Sequence, residues 1–178
     1  MSTKAHWERL YENTAPEKLG WYEPHLQTSL GWIRELGLDS SAPIIDVGGG
    51  ASTLVDDLRQ ASYSAVTVVD LSAKALALAK ARLGERADAV TWLEGDITAM
   101  DLPAGYYALW HDRAVFHCLT HPDAAPVCSG LPVRRYGADE LKGEMGSELE
   151  LERHVREVHR TPAGVAQSYL YCLFGREG

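Results

Sequence analysis

Cysteine is scarce in this sequence, and the few cysteines present form no recognisable pattern. The chain has three, Cys118, Cys128 and Cys172, an odd number without the paired spacing of a metal site. We therefore expect no disulfide framework, as is usual in a reducing cytoplasm. The sequence also lacks an apolar run of the roughly 20 residues that a membrane span needs, and its N-terminus is too polar for a signal peptide. These absences predict a cytoplasmic protein without a membrane partner.

Basic residues are outnumbered by acidic ones. The chain has 17 Lys and Arg against 25 Asp and Glu, which gives a net charge of −8. Because no basic run is present, we expect no nucleic-acid partner, and a small ligand with positive charge is favoured instead. The 178 residues, 46% of them hydrophobic, fit one globular domain and exclude disorder, collagen and coiled coil.

Short apolar runs alternate with helical patterns along most of the chain. Strands are predicted at residues 43–47, 65–69, 89–93 and 106–110, and helices at 53–60, 73–86, 114–119 and 138–145. This alternation predicts an α/β fold with a Rossmann-like parallel sheet wound on both faces. Residues 149–159 and 165–174 alternate as strands around a turn at 161–164, which predicts a C-terminal antiparallel hairpin.

The whole chain, residues 1–178, is predicted to be a single domain with three parts. Residues 1–40 read as an N-terminal helical lid, residues 41–122 as a nucleoside-binding half, and residues 123–178 as a C-terminal half with the hairpin.

A glycine-rich turn follows the first predicted strand and carries the sharpest functional signal. Gly48, Gly49 and Gly50 directly follow Asp46 and Val47 at the end of that strand. The position where a dinucleotide-binding fingerprint needs its third glycine is Thr53, and no Gly-Lys-Ser/Thr of a phosphate loop follows. The turn therefore does not match either phosphate-binding motif.

Acidic residues follow the ends of three neighbouring predicted strands. Asp46 ends the first, Asp70 the second, and Asp96 follows the third in a Glu-Gly-Asp-Ile segment. A carboxylate at such a strand end can accept both hydroxyls of a ribose. Three carboxylates around one glycine turn predict a nucleoside ligand that carries positive charge and no phosphates.

With these residues, the sequence resembles the class I S-adenosylmethionine-dependent methyltransferases. The resemblance implies S-adenosylmethionine as cofactor and a small-molecule methyl acceptor. In the family the first-strand acid and glycine loop hold the methionine part, the second-strand acid holds the ribose, and the Asp of the Gly-Asp turn contacts the adenine. The matching positions here are Asp46, Gly48, Gly49, Gly50, Asp70, Leu71, Asp96 and Ile97.

A second segment extends the resemblance to small bacterial members related to thiopurine methyltransferases. Residues 110–117, Trp-His-Asp-Arg-Ala-Val-Phe-His, resemble the family motif after the fourth strand, and Trp21 with Tyr22 resembles its N-terminal lid. We therefore predict that Trp21, Trp110 and Arg113 also contact the cofactor. His111 and Asp112 are the candidate catalytic residues, since ligands bind at the carboxyl edge of such sheets.

The chain departs from the family after the fourth strand. The expected Pro-Gly-Gly turn and fifth parallel strand are missing from residues 120–130, which suggests an internal deletion. We expect the hairpin to move into the gap, so that residues 165–174 pair with 106–110 and the order becomes 3-2-1-4-7-6 in family labels. If the fourth strand is instead an open edge, a partner must cover it. A homodimer is predicted in either case, because the shortened face exposes apolar surface.

Two alternatives remain open at this stage. His117 and His121 lie four residues apart near His111, Asp112 and Asp123, a spacing compatible with a metal-dependent hydrolase on a truncated methyltransferase scaffold. The second alternative is a protein that binds S-adenosylmethionine without catalysis, because the deletion would remove part of the acceptor wall. The prediction with the larger set of matching residues is methyl transfer, without a bound metal.

Overall fold

The computed structural model describes residues 4–119 and 127–176. Its contacts divide these residues into two compact units. The sheet unit comprises residues 4–17 and 22–116, and the hairpin unit comprises residues 18–21, 117–119 and 127–176. Among the described residues, no helix combines the length and the apolar character needed to cross a membrane.

A four-stranded parallel sheet forms the centre of the sheet unit. Its strands are β1 (Ile44–Val47), β2 (Val66–Asp70), β3 (Val90–Glu94) and β4 (Leu109–Asp112), in the order β3-β2-β1-β4. β1 and β2 are buried along their whole length, as expected for the central strands of an α/β sheet. The predicted fold class and the 3-2-1-4 part of the strand order are thereby confirmed.

Helices connect and cover these strands. They are α1 (Lys4–Asn13), α2 (Gln27–Glu35), α3 (Leu54–Gln60) and α4 (Ala73–Leu83), with 3-10 turns at Pro16–Lys18, Gly84–Ala89 and Phe116–Cys118. Apolar residues of α2, α3 and α4 share one buried cluster with Ile44, Val66 and Val68 of the sheet. Ile45, Val47 and Val69 point the opposite way, as the period-2 geometry of strands requires, and form a second cluster.

The hairpin unit contains β5 (Val127–Cys128), β6 (Leu131–Pro132), α5 (Ala138–Met145), β7 (Leu149–Arg160) and β8 (Ala166–Arg176). β7 and β8 pair antiparallel from Leu149 opposite Arg176 to Arg160 opposite Ala166, with one irregularity between Leu151 and Arg153. Thr161 and Gly164 close the turn, where the Gly164 amide donates to the Thr161 carbonyl at 2.8 Å. The predicted C-terminal hairpin is confirmed.

The predicted pairing of this hairpin with the fourth strand is not found. In the described residues β7 and β8 form a two-stranded sheet of their own, and β4 pairs with β1 alone. The two long strands pair with each other over eleven positions. The order 3-2-1-4-7-6 is therefore wrong in its last two strands.

Local predictions around β4 also need correction. The fourth strand begins at Leu109 rather than near residue 106, and the helix expected at 114–119 is only the 3-10 turn Phe116–Cys118. Ala114 has a φ of +67°, a left-handed conformation that an α-helix does not contain. The chain therefore turns sharply after β4 before any helical turn forms.

Candidate cofactor site

The glycine turn packs tightly against the sheet unit's own side chains. Gly48 has a φ of +68°, and its amide donates to the Val69 carbonyl at 2.7 Å. A Cβ at Gly48 would lie 1.9 Å from the Val115 side chain, and one at Gly49 would lie 2.2 Å from Asp46 Oδ2. The protein's own packing therefore requires glycine at positions 48 and 49, apart from any space that a ligand needs.

Asp46 is the most buried acid of the site, only 1% exposed. Its Oδ1 lies 2.7 Å from Nδ1 of His111 in β4, and Nε2 of the same ring lies 3.0 Å from the Ser29 hydroxyl in α2. The other oxygen, Oδ2, is buried against Gly49 and has no hydrogen-bond partner among the described residues. A buried carboxylate oxygen without a donor is unusual, and an N–H or O–H group of a ligand would satisfy it.

Asp70 ends β2 and holds the glycine turn. Its Oδ2 accepts from the Gly50 amide at 3.0 Å, and its Oδ1 accepts from the Ser72 amide at 2.8 Å. Burial raises the pKa of Asp70 to about 6, although both amide hydrogen bonds act in the opposite direction. Each oxygen can accept a further hydrogen bond, so these contacts leave capacity for ribose hydroxyls.

Asp96 follows β3 and is exposed. Its Oδ1 accepts from the Thr98 amide at 2.9 Å and from the Thr98 hydroxyl at 2.6 Å, and these hydrogen bonds lower the pKa of Asp96. The Gly95 amide donates to the Asp70 carbonyl at 3.0 Å, which joins this turn to the end of β2. Ile97 packs on the second apolar cluster. Asp96 therefore lies in an ordered turn beside Asp70.

The segment after β4 is held from two sides. Asp112 Oδ1 accepts from the amides of Val115 and Phe116 at 3.1 and 3.3 Å, and burial raises the pKa of this carboxyl. Arg113 forms an ion pair of 2.5 Å with Glu23, whose carbonyl also accepts from the Thr53 hydroxyl. Trp110, in contrast, is 51% exposed.

The sheet unit thus brings together most of the predicted site residues. Asp46, the glycine turn, Asp70, Leu71, Asp96, Ile97, Trp110, His111, Asp112 and Arg113 all lie at or directly after the carboxyl ends of its four strands. Trp21 belongs to the hairpin unit, so its predicted cofactor contact stays a prediction.

Sequence reasoning missed the residues that support the site from elsewhere in the chain. They are Glu23, Ser29, Ser72, Arg82 and Val115. Arg82 of α4, for example, donates to the carbonyls of Ala51 and Ser52, directly after the glycine turn. Of these, only Ser72 has a local signal, because serine is a common N-cap and Ser72 directly precedes α4; its hydroxyl accepts from the Ala75 amide.

The histidines predicted as an alternative metal site do not form one within the described part of the chain. No group of three or more His, Cys, Asp or Glu side chains in residues 4–119 and 127–176 is arranged to hold an ion. His117 lies in the hairpin unit, and burial together with the Arg135 charge lowers its pKa. His121 and Asp123 lie outside the described residues.

A family model described as a methyltransferase domain matches residues 44–131, about half of the chain. This match begins at β1 and includes the glycine turn and all four strands of the parallel sheet. Residues 44–131 are a methyltransferase domain. The predicted enzyme class and cofactor are thereby confirmed: the chain is an S-adenosylmethionine-dependent methyltransferase, and its cofactor is S-adenosylmethionine.

Two solved structures resemble the methyltransferase over nearly its whole length. One comes from work on the conversion of a disulfide bond into a thioacetal group during echinomycin biosynthesis. It has a TM-score of 0.70 and 17% sequence identity, and the likeness covers 98% of this chain and 93% of that chain. The other is a S-adenosylmethionine-dependent methyltransferase from Anabaena variabilis, with a TM-score of 0.68 and 14% identity, and coverage of 99% and 96%. At these identities the likeness establishes the fold. No curated protein sequence matches significantly.

The site's chemistry fits the methyltransferase cofactor. S-adenosylmethionine has an ammonium, a sulfonium, two ribose hydroxyls and an adenine amino group, all of which suit acidic acceptors. The unpaired Asp46 oxygen and the Asp70 carboxylate provide such acceptors next to a turn without side chains. Phosphate-binding side chains are not needed for this ligand.

Proposed function

We propose that the enzyme transfers the methyl group of S-adenosylmethionine to a small-molecule nucleophile at the carboxyl edge of the sheet unit. The observation that carries this proposal is that Asp46, Asp70 and Asp96 lie at or just after the carboxyl ends of β1, β2 and β3, with Asp46 and Asp70 next to the glycine turn. Asp46 with Gly48–Gly50 would hold the methionine part, Asp70 with Leu71 the ribose, and Asp96 with Ile97 the adenine.

Methyl transfer from a sulfonium is an in-line displacement, and the bound cofactor supplies the electrophilic methyl group. The protein therefore has to orient the two reactants and exclude water, and it needs little acid–base chemistry. Both ring nitrogens of His111 are already engaged, by Asp46 and Ser29, and Asp112 accepts from two backbone amides. These contacts favour a positioning role for both residues over proton transfer with the acceptor.

The acceptor proposed first is a thiol or another small polarisable nucleophile. The acidic chain, with its net charge of −8, disfavours nucleic acid as an acceptor. The structural neighbour reported for thioacetal formation from a disulfide concerns chemistry at sulfur, which supports testing sulfur nucleophiles early.

The decisive experiment measures cofactor binding by calorimetry together with S-adenosylhomocysteine formation in a screen of thiols, amines and hydroxyl compounds. Asp70→Asn should weaken S-adenosylmethionine binding by about 1.5–3 kcal/mol, because an ionised acceptor is removed from the ribose hydroxyls. Asp88→Asn is the matched control. Asp88 is exposed and lies just before the amino end of β3, whereas the site lies at the carboxyl ends of the strands.

Three outcomes distinguish the alternatives. Binding with product formation supports methyl transfer, and the productive acceptor class identifies the substrate chemistry. Binding without product from any pool supports the non-catalytic alternative. Equal affinities of the wild type and Asp70→Asn would mean that the cofactor does not use the proposed ribose contact.

A further inference from the structure

Two buried polar side chains and one partly buried histidine form a continuous chain of hydrogen bonds in the sheet unit. Asp46 in β1 contacts His111 in β4, and His111 contacts Ser29 in α2, at 2.7 and 3.0 Å. Ser29 is 6% exposed, and the His111 side chain is 13% exposed. A helix residue far away in sequence therefore fixes the orientation of a strand histidine, which in turn contacts the most buried acid of the site.

The chemistry of these groups assigns the proton positions. Carboxylate oxygens accept hydrogen bonds, so we assign Nδ1 of His111 as the donor to Asp46 Oδ1. With Nδ1 as the donor, Nε2 is assigned as the acceptor from the Ser29 hydroxyl. Because both nitrogens are engaged, rotation of the ring would break at least one of these hydrogen bonds.

The second oxygen of Asp46 lies against the glycine turn. Oδ2 is buried against Gly49 and lacks a partner among the described residues, while Oδ1 is held by His111. Gly49 has no side chain to cover or satisfy it. A cationic N–H donor resting against the glycine turn would complete the hydrogen bonding of this carboxylate.

We infer that His111, oriented by Ser29, is a positioning residue that holds the Asp46 carboxylate ready for the ammonium group of the cofactor's amino-acid part. This inference rests on the proposed function, since it takes S-adenosylmethionine as the ligand of the site. His111 itself does not touch the cofactor or the acceptor; it acts through Asp46, in the way that an outer hydrogen-bond partner orients a ligand-binding group.

The test compares two ligands that differ only in the part that Asp46 is inferred to bind. S-adenosylhomocysteine has the amino-acid group, whereas 5′-methylthioadenosine keeps the nucleoside and the thioether but lacks it. Calorimetry should show that His111→Ala weakens S-adenosylhomocysteine binding roughly tenfold or more, as expected for a charge-assisted hydrogen bond. Binding of 5′-methylthioadenosine should change less than about twofold, because its contacts do not involve Asp46.

Conservative variants separate positioning from general disruption of the fold. His111→Asn should recover most of the S-adenosylhomocysteine affinity, because the Asn amide can still donate to Asp46 from near the position of Nδ1. Ser29→Ala should give a smaller loss for the same ligand. His154→Ala is the control, since His154 is exposed on β7. Nitrogen NMR of the ligand-free protein should show His111 fixed as the Nδ1-protonated tautomer.

Several results would overturn this inference. An equal loss for both ligands would mean that His111 supports the fold rather than the ammonium contact, and so would failure of the Asn variant to recover binding. Labelling of Ser29 by a fluorophosphonate would indicate a nucleophilic serine instead. If His111→Ala binds S-adenosylhomocysteine like the wild type, only the inference fails, whereas absence of binding by the wild type would refute the proposed function itself.

Discussion

At the scale of single residues, the turn after β1 leaves no room for a side chain. A Cβ at Gly48 would meet Val115 at 1.9 Å, and the φ of +68° disfavours any residue but glycine. Gly48→Ala should therefore lower the free energy of unfolding by about 2–4 kcal/mol, from backbone strain and overpacking together. Urea denaturation of the purified variant measures this change.

Two companion variants make this prediction specific. Gly48→Ala combined with Val115→Ala should recover the steric part of the loss but not the backbone strain. Gly31→Ala lies within α2 where a Cβ meets nothing within 4 Å, so it should stabilise the protein by about 0.5–1 kcal/mol. A Gly48→Ala protein as stable as the wild type would contradict the described packing of the turn.

Asp70 should give the folded protein a distinct pH dependence. Its pKa rises from 3.8 to about 6 on folding, so folding takes up a proton between these pH values. Stability therefore falls as the pH rises through this window, by about 3 kcal/mol in total for a shift of this size. Urea denaturation of the wild type at pH 4.5 and pH 7 measures this fall in the free energy of unfolding. Asp70→Asn, denatured at the same two pH values, should lack the fall.

The matched control for this pH effect is Asp88→Asn, which should keep the wild-type dependence because Asp88 is exposed. Parallel pH profiles for the wild type and Asp70→Asn would mean that the Asp70 carboxyl is not desolvated as described.

Residue types at strand ends could be predicted from the sequence because they follow a local pattern. Asp46, Gly48 and Asp70 each stand at a fixed position relative to an apolar strand, and strand ends meet at one edge of a parallel sheet. Ser29 and Val115 have no such local pattern. Each acts on a residue distant in sequence, and these contacts exist only once the sheet unit has folded.

At the scale of elements, α1 is tied to the amino end of α4 by one carboxylate. Glu8 accepts from the amides of Ala73 and Lys74, two of the groups that the first turn of a helix leaves unpaired. Glu8→Gln should lower stability by about 0.5–1 kcal/mol, because the negative charge at the positive helix end is lost. Thermal unfolding at low salt measures it.

The control for this capping contact lies on the same helix. Glu12 is exposed on α1, so Glu12→Gln should leave stability nearly unchanged. High salt should reduce the difference in stability between the wild type and Glu8→Gln, because salt screens the interaction of a charge with the helix dipole. A salt-independent difference would indicate packing rather than charge.

The type of an element could be predicted where apolar residues recur with a strong period. The prediction was wrong where the conformation of single backbone residues determines the structure. The strands β1, β2 and β3, the helix α5 and both hairpin strands appear at or within two residues of their expected positions. The expected helix after β4 does not form, because Ala114 is left-handed and Asp112 binds the amides that follow. Alanine is a strong helix former, so the residue type at position 114 favours a helix and does not indicate the left-handed conformation.

At the scale of the whole molecule, local patterns predicted the parallel sheet but not the partner of its last strand. The order β3-β2-β1-β4 follows from right-handed crossovers between consecutive strands. Where a terminal hairpin pairs depends instead on competition between distant edges, and β7 pairs only with β8 among the described strands. Sequence periodicity contains no information about that competition.

The unpaired side of β4 gives the predicted homodimer a concrete test. In the described residues β4 pairs with β1 only; Trp110 within β4 is 51% exposed, and Tyr106, three residues before β4, is 55% exposed. Because an open apolar strand edge favours association, sedimentation at micromolar concentration should show a dimer. Tyr106→Glu should shift the population toward monomer, whereas Leu36→Glu, a change at another exposed apolar residue of the same unit, should not. A wild-type monomer under these conditions would refute the predicted association, and equal effects of both variants would place the interface away from β4.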